Sequence, residues 1–171
     1  MNLVTASPTW LIVLLGLALA AAAIEDAVRL RISNITCAIV LVLGLVAMGL
    51  HGLSLSLWQN VAVCLGILIV GLPAFAAGWL GGGDVKLLAA LGLWLTFKEA
   101  ATLIAAVFMA GGVLALMFLA VRLFRRDKSK SRQIPYGLAI VFGALVTFGF
   151  QIHERNVARF PWDPYFTPHS A

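Results

Sequence analysis

The feature that most constrains this chain is a series of long apolar runs separated by only a few polar residues each. The first run covers residues 10–24 and contains no charged side chain. Such a run can cross a bilayer as a helix, because a helix satisfies its own backbone hydrogen bonds where water is absent. Only 11% of the residues are charged, and 62% are hydrophobic, whereas a soluble domain carries about 25% charged residues. The sequence therefore predicts an all-α, polytopic membrane protein.

Six membrane spans are predicted, within a single domain that covers residues 1–171. The polar breaks place the spans at about 8–24, 35–50, 61–80, 85–97, 100–124 and 138–152. The fourth is short, because a full crossing needs about 20 residues. No basic residue precedes the first run, so it is interpreted as a retained span and not as a cleaved signal peptide.

The basic residues predict the orientation, since Lys and Arg concentrate in cytoplasmic loops. If the connections after the first, third and fifth spans lie inside, they hold Arg29, Arg31, Lys86 and the basic run at 125–132. Few basic residues then remain on the other side. Both termini are therefore expected on the periplasmic side of a bacterial inner membrane. The formal net charge of +5 is explained by topology, and no nucleic-acid partner is expected.

Two aspartates lie at the ends of apolar runs, where an ionised carboxylate costs several kcal/mol if it approaches the hydrocarbon. Asp26 follows the first run, and Asp84 follows the three glycines at 81–83. Those glycines let the backbone turn and let another segment approach closely. Two predicted spans separate the aspartates, and an even number of crossings returns the chain to the same face. Both are therefore expected at the cytoplasmic boundary of the membrane.

If the two carboxyl groups meet, their chemistry follows. Two carboxylates about 3 Å apart share a proton, because both cannot ionise readily. The ionised member can take a proton from water, while the protonated member donates to a carbonyl oxygen. No metal or other cofactor is needed, and none is expected. Asp84 opens a helix whose N-terminus favours the anion, so Asp84 is expected to be more acidic than Asp26.

Each polar residue also has a simpler interpretation. Asp26 alone could be an interfacial residue beside Arg29, and Asp84 alone could be the N-cap of a helix. Glu25 is expected to be solvated at the level of the lipid headgroups. Lys86 is expected to be a headgroup anchor rather than a catalytic residue.

Three segments together resemble the motifs of the type IV prepilin peptidases, which are integral-membrane aspartyl proteases. The segment 81–86, with the sequence GGGDVK, resembles the GxGD signature. The segment 26–34 is similar to the first-aspartate segment, an Asp with Ile-Pro-Asn a few residues later, although Ser33 stands where the family usually has Pro. Residues 135–137 are similar to a Pro-(Phe/Tyr)-Gly motif. The three matches occur in the family's order.

The resemblance implies removal of a short basic leader from prepilins and pseudopilins, at the cytoplasmic face of the inner membrane. Asp26 and Asp84 would be the catalytic pair. The other positions that match the motifs are Asn34, Gly81, Gly82, Gly83, Lys86, Pro135, Tyr136 and Gly137. The chain contains no CxxC pair, so it resembles the short branch of the family, like the peptidases of Flp/tight-adherence pili. Methylation of the pilin is not expected.

Two other classes of function stay open from the residues alone. The aspartates could relay protons or bind a cation in a small transporter, or the chain could be a non-enzymatic assembly subunit of a pilus or secretion machine. Transporters more often carry acidic residues at mid-membrane depth, together with internal repeats. An assembly subunit would tolerate the change of either aspartate to asparagine.

Overall fold

The computed structural model describes residues 2–52, 57–125 and 136–159, and all the regular secondary structure in these ranges is helical. The helices are α1 (Leu3–Ala6), α2 (Thr9–Arg29), α3 (Asn34–His51), α4 (Trp58–Ala76), α5 (Gly82–Gly92), α6 (Phe97–Arg125) and α7 (Tyr136–Arg159). Five of them, α2, α3, α4, α6 and α7, are long and apolar enough to cross a membrane. The predicted all-helical class is therefore confirmed, and these five helices are candidate membrane spans.

The outward faces of the long helices are apolar. On α4, the side chains of Ile69 and Val70 are exposed, and on α6 the same is true of Phe108 and Met109. Large apolar side chains on an outer surface suit contact with lipid. Among the described residues, the buried polar side chains of Asp26, Thr36, Asn60 and Thr147 have hydrogen-bond partners inside the bundle, whereas the hydroxyl of Ser7 has none.

Five of the six predicted spans correspond to these long helices, with shifted ends. The helix α2 continues beyond residue 24 to Arg29 and ends because Leu30 adopts the left-handed conformation, with φ of 54°. The helix α4 ends at Ala76, four residues before the predicted end of its span. It ends shortly after Pro73, and Gly78 then turns the chain with φ of 74°.

The predicted fourth span, 85–97, is different. It corresponds to α5, which has 11 residues and is therefore about 16 Å long at 1.5 Å per residue. That is roughly half of the hydrocarbon thickness of about 30 Å, so the prediction of six spans is not confirmed. Residues 98–99, which separate the predicted fourth and fifth spans, also do not form a break between helices. Both residues lie in the first turn of α6, where the Glu99 carboxylate accepts hydrogen bonds from the backbone N–H and hydroxyl of Thr96.

The N-terminal segment packs against the end of the short helix α5. The N–H of Leu3 donates to the carbonyl of Trp94, two residues beyond α5, at 3.0 Å. The amide of Asn2 donates to Glu99 of α6 and to Gln151 of α7. The helix α1, which was not predicted, thus fills the bundle where α5 has ended.

Close packing holds α5 in place between α3 and α4. The fully buried Trp94 donates its indole N–H to the carbonyl of Val40 in α3. Gly44 of α3 lies against the same indole, and Gly92 of α5 lies against Val63 of α4. These contacts fix α5 along its length, and Asp84 lies in the first turn of this helix.

Candidate active site

A cavity of about 600 Å³ lies at one end of the bundle. It is bounded by the α2–α3 connection, the α4–α5 connection and the first turn of α7. Both Asp26 and Asp84 line this cavity, and so do three aromatic residues, Phe75, Trp79 and Tyr136. The structure therefore places the two aspartates at the same end of the bundle, although two membrane-spanning helices separate them along the chain.

Asp26 lies in the last two turns of α2 and is only 3% exposed. Its Oδ2 accepts a hydrogen bond of 3.0 Å from the N–H of Leu138, the third residue of α7. The first turn of a helix has backbone N–H groups without helical partners, so Asp26 supplies a partner for one of them. This arrangement differs from the simpler expectation of an interfacial residue beside Arg29, because Arg29 is exposed whereas Asp26 is buried.

Gly137 provides the space that Asp26 occupies. A Cβ at position 137 would lie 2.8 Å from Cγ of Asp26 and 2.8 Å from Cδ1 of Ile32. Both separations are shorter than normal carbon contacts, so any larger residue would displace the aspartate. The motif containing Gly137 could be recognised from the sequence. The N–H of Leu138 could not, because any residue except proline supplies a backbone N–H.

Asp84 is the third residue of α5, and its side chain is partly buried. Its Oδ2 accepts a hydrogen bond of 3.2 Å from the N–H of Gly81. The suggestion that Asp84 is the N-cap is therefore wrong, because Gly81 is the N-cap and Asp84 reaches back to it. An acidic residue in this position stabilises the first turn of the helix.

The pKa of Asp84 is determined mainly by burial. Burial raises its pKa to about 6, with a further contribution from the nearby negative charge of Asp26, while the N–H of Gly81 lowers it. The expected effect of the helix N-terminus, which favours the anion, is thus smaller than the cost of removing the carboxylate from water. A carboxyl group with this pKa can donate or accept a proton near neutral pH.

Ile32, in the connection between α2 and α3, packs against a glycine in each of two motifs, Gly83 in the first turn of α5 and Gly137 in the first turn of α7. A Cβ at Gly83 would lie 2.9 Å from the carbonyl oxygen of Ile32, and a Cβ at Gly137 would meet the other end of the same residue. Glycine is thus required at both positions by close approach. Gly83 directly precedes Asp84, and Gly137 directly precedes Leu138, which binds Asp26. One residue therefore packs beside the backbone that positions each aspartate.

The remaining motif residues have different surroundings. The Lys86 ammonium, expected to be a headgroup anchor, donates to Oδ1 of Asn34 at 2.9 Å and so links α5 to α3. Gly82 lies against the ring of Phe75, and Tyr136 packs on Gly111 of α6. Pro135 lies outside the described residues, as do the basic run from 126 onward and the aromatic segment at 160–171.

Glu25 has a structural environment that the sequence did not suggest. It is partly buried, and its Oε2 accepts a hydrogen bond of 2.8 Å from the N–H of Ser33 and one of 2.9 Å from the hydroxyl of Thr36. The difference arises because α2 continues to Arg29, which brings Glu25 beside the first turn of α3. Phe75 and Trp79, on the wall of the cavity, were likewise predicted only as part of a span.

A family model described as the type IV leader peptidase family matches residues 12–116. The matched range contains Asp26, Asp84 and the glycines at 81–83, and it ends before α7. No curated protein and no solved structure matches the chain.

Proposed function

The chain belongs to the type IV leader peptidase family, and we propose that it is an aspartic endopeptidase with Asp26 and Asp84 as its catalytic pair. Membership makes it a peptidase and indicates pilin-type proteins as its substrates. The observation that carries the proposal is that two acidic side chains, 58 positions apart in the sequence, line one cavity. The effect of the charge of Asp26 on the pKa of Asp84 supports their proximity.

The pair acts with one proton between its two carboxyl groups. Asp84 is assigned as the proton donor, because its pKa is about 6, and ionised Asp26 is assigned as the base. Asp26 takes a proton from water as the hydroxyl adds to the scissile carbonyl carbon, and Asp84 gives its proton to the carbonyl oxygen. When the C–N bond breaks, the proton on Asp26 passes to the leaving nitrogen and one hydroxyl proton returns to Asp84. Water is consumed and the carboxyl groups regain their initial state.

The substrate is proposed to be a prepilin or pseudopilin whose apolar helix lies in the membrane beside the bundle. Its leader would then reach the cavity at the membrane boundary, next to Asp26 and Asp84. We place this end of the bundle at the cytoplasmic face of a bacterial inner membrane, because Arg29, Arg31 and Lys86 lie there and basic residues mark cytoplasmic ends. Pilins of the Flp/tight-adherence class are the proposed first substrates to assay.

The test is cleavage of a prepilin by the purified full chain in detergent. Asp26→Asn and Asp84→Asn keep the shape of the side chain and remove its ability to exchange a proton, so each should abolish cleavage. Glu99→Gln is the matched control, because Glu99 lies at the opposite end of the bundle beside Asn2, and it should retain cleavage. Cleavage by either asparagine variant would refute the catalytic assignment.

The same variants separate this proposal from the two other classes. A transporter would lose proton or cation flux in reconstituted vesicles, while the wild-type protein would not cleave prepilin. An assembly subunit would support pilus formation with asparagine at both positions. Membership in a peptidase family counts against both alternatives.

A further inference from the structure

The residue next to Asp26 holds the connection between α2 and α3. Adjacent residues on a helix point in directions about 100° apart, so Asp26 faces Leu138 of α7 while Glu25 faces α3. The Glu25 Oε2 accepts from the N–H of Ser33 at 2.8 Å and from the hydroxyl of Thr36 at 2.9 Å. Glu25 thus binds both the N-cap residue and the third residue of α3.

The connection that Glu25 spans is short and contains a strained residue. Leu30 has φ of 54°, a left-handed conformation that is strained for an L-residue other than glycine. Such a conformation persists only where surrounding contacts hold it. The hydrogen bond from the Ser33 N–H to Glu25 attaches the C-terminal end of the connection to α2 and so restrains residues 30–33.

Movement of this connection would reach both aspartates through Ile32. The carbonyl oxygen of Ile32 lies against Gly83, next to Asp84, and its Cδ1 lies against Gly137, next to the N–H that binds Asp26. These approaches leave no room for a side chain at either glycine, so a shift of Ile32 toward Gly83 would displace the first turn of α5, and a shift toward Gly137 would displace the first turn of α7.

We propose that Glu25 is a positioning residue for the peptidase reaction, and that its carboxylate sets the relative placement of Asp26 and Asp84 through the connection and Ile32. This role rests on the proposed function, because it concerns the rate of the cleavage step. Glu25 itself exchanges no proton with the substrate. It acts as a hydrogen-bond acceptor, and its charge is not required.

Ser33 offers an independent way to fix the same connection. Its φ is −67°, which is the value that a proline ring imposes, and proline has no N–H for Glu25 to bind. Ser33→Pro would therefore restrain the connection covalently, so that its conformation no longer depends on the hydrogen bond to Glu25. It would also remove the Ser33 hydroxyl that caps the N–H of Ile35, so its effect must be measured by itself.

The experiment measures kcat and KM for cleavage of one prepilin peptide, which carries a basic leader, a glycine and an apolar helix. Glu25→Ala should lower kcat by about tenfold to a hundredfold, the loss that a displacement near 1 Å causes, with a smaller change in KM. Glu25→Gln should stay within about threefold of wild type, because its amide oxygen can accept both hydrogen bonds. Glu25→Ala combined with Ser33→Pro should match Ser33→Pro alone.

Three results would overturn the role. They are an unchanged kcat in Glu25→Ala, a Glu25→Gln variant as slow as Glu25→Ala, and a double variant that is slower than Ser33→Pro alone. If Glu25→Ala does not insert, Thr36→Val tests the same role, because it removes one of the two hydrogen bonds and keeps the shape of the side chain. Thr36→Val should lower kcat relative to the wild type, and no loss at all would contradict the proposal. Failure here, with both asparagine variants inactive, would leave the catalytic pair intact.

Discussion

Gly137→Ala is a small change that should displace a catalytic group. The added Cβ would lie 2.8 Å from Cγ of Asp26, whereas ordinary contacts begin at 3.4 Å, so the two atoms must separate by at least about 0.6 Å, the difference between these values. Asp26 is buried and tied to Leu138, and α7 is packed against α6, so neither side can yield without cost. A misplacement of about 1 Å costs roughly a hundredfold in rate, and we expect kcat to fall by about tenfold or more.

The control for this variant lies in the same helix. A Cβ at Gly149 meets nothing within 4 Å, so Gly149→Ala should keep wild-type cleavage. Overpacking typically costs about 1–3 kcal/mol, so the apparent Tm of Gly137→Ala in detergent should fall as well, and kcat should be measured well below that temperature. The steric reasoning would be refuted if Gly137→Ala cleaved prepilin as fast as Gly149→Ala.

The remaining predictions concern pH and one interhelical contact. If Asp84 must carry a proton, its pKa of about 6 leaves about 9% of molecules competent at pH 7 and about 1% at pH 8, so kcat/KM should fall about ninefold over that interval; a flat profile between these values would contradict the donor assignment. Lys86→Met and Asn34→Ala should each lower the apparent Tm slightly, since an exposed contact contributes about 1 kcal/mol or less. The double variant should be no less stable than the worse single one, because both changes remove the same hydrogen bond, and additive losses would show that this contact contributes nothing.

The fold could be predicted where the hydrocarbon of the bilayer determines which segments form helices. Runs of apolar residues gave five of the spans, because a membrane-spanning helix needs only length and hydrophobicity. The helix α5 was overestimated because its apolar residues continue beyond Gly92 into the turn that contains the fully buried Trp94. Hydropathy does not separate a buried turn from a helix. The helix α1 could not be predicted, since it forms where Asn2 meets residues of α6 and α7.

The site could be predicted in part for similar reasons. Charged residues at the ends of apolar runs are costly, so Asp26 and Asp84 were identifiable, and the glycine motifs marked positions of close approach. Tertiary contacts decided the rest. Glu25 lies beside α3 only because α2 extends further than expected, and the pKa of Asp84 depends on burial. Local sequence shows the helix N-terminus but not the depth at which the folded chain places it.

The interaction between the two carboxyl groups is tested most directly by the titration of Asp84. The ¹³C carboxyl resonance of Asp84, assigned by its loss in Asp84→Asn, can be followed against pH in the full chain in detergent. It should titrate near pH 6 in the wild type and at a lower pH in Asp26→Asn, because that change removes the negative charge that raises the pKa of Asp84. The same pKa in both proteins would contradict the claim that these carboxyl groups interact.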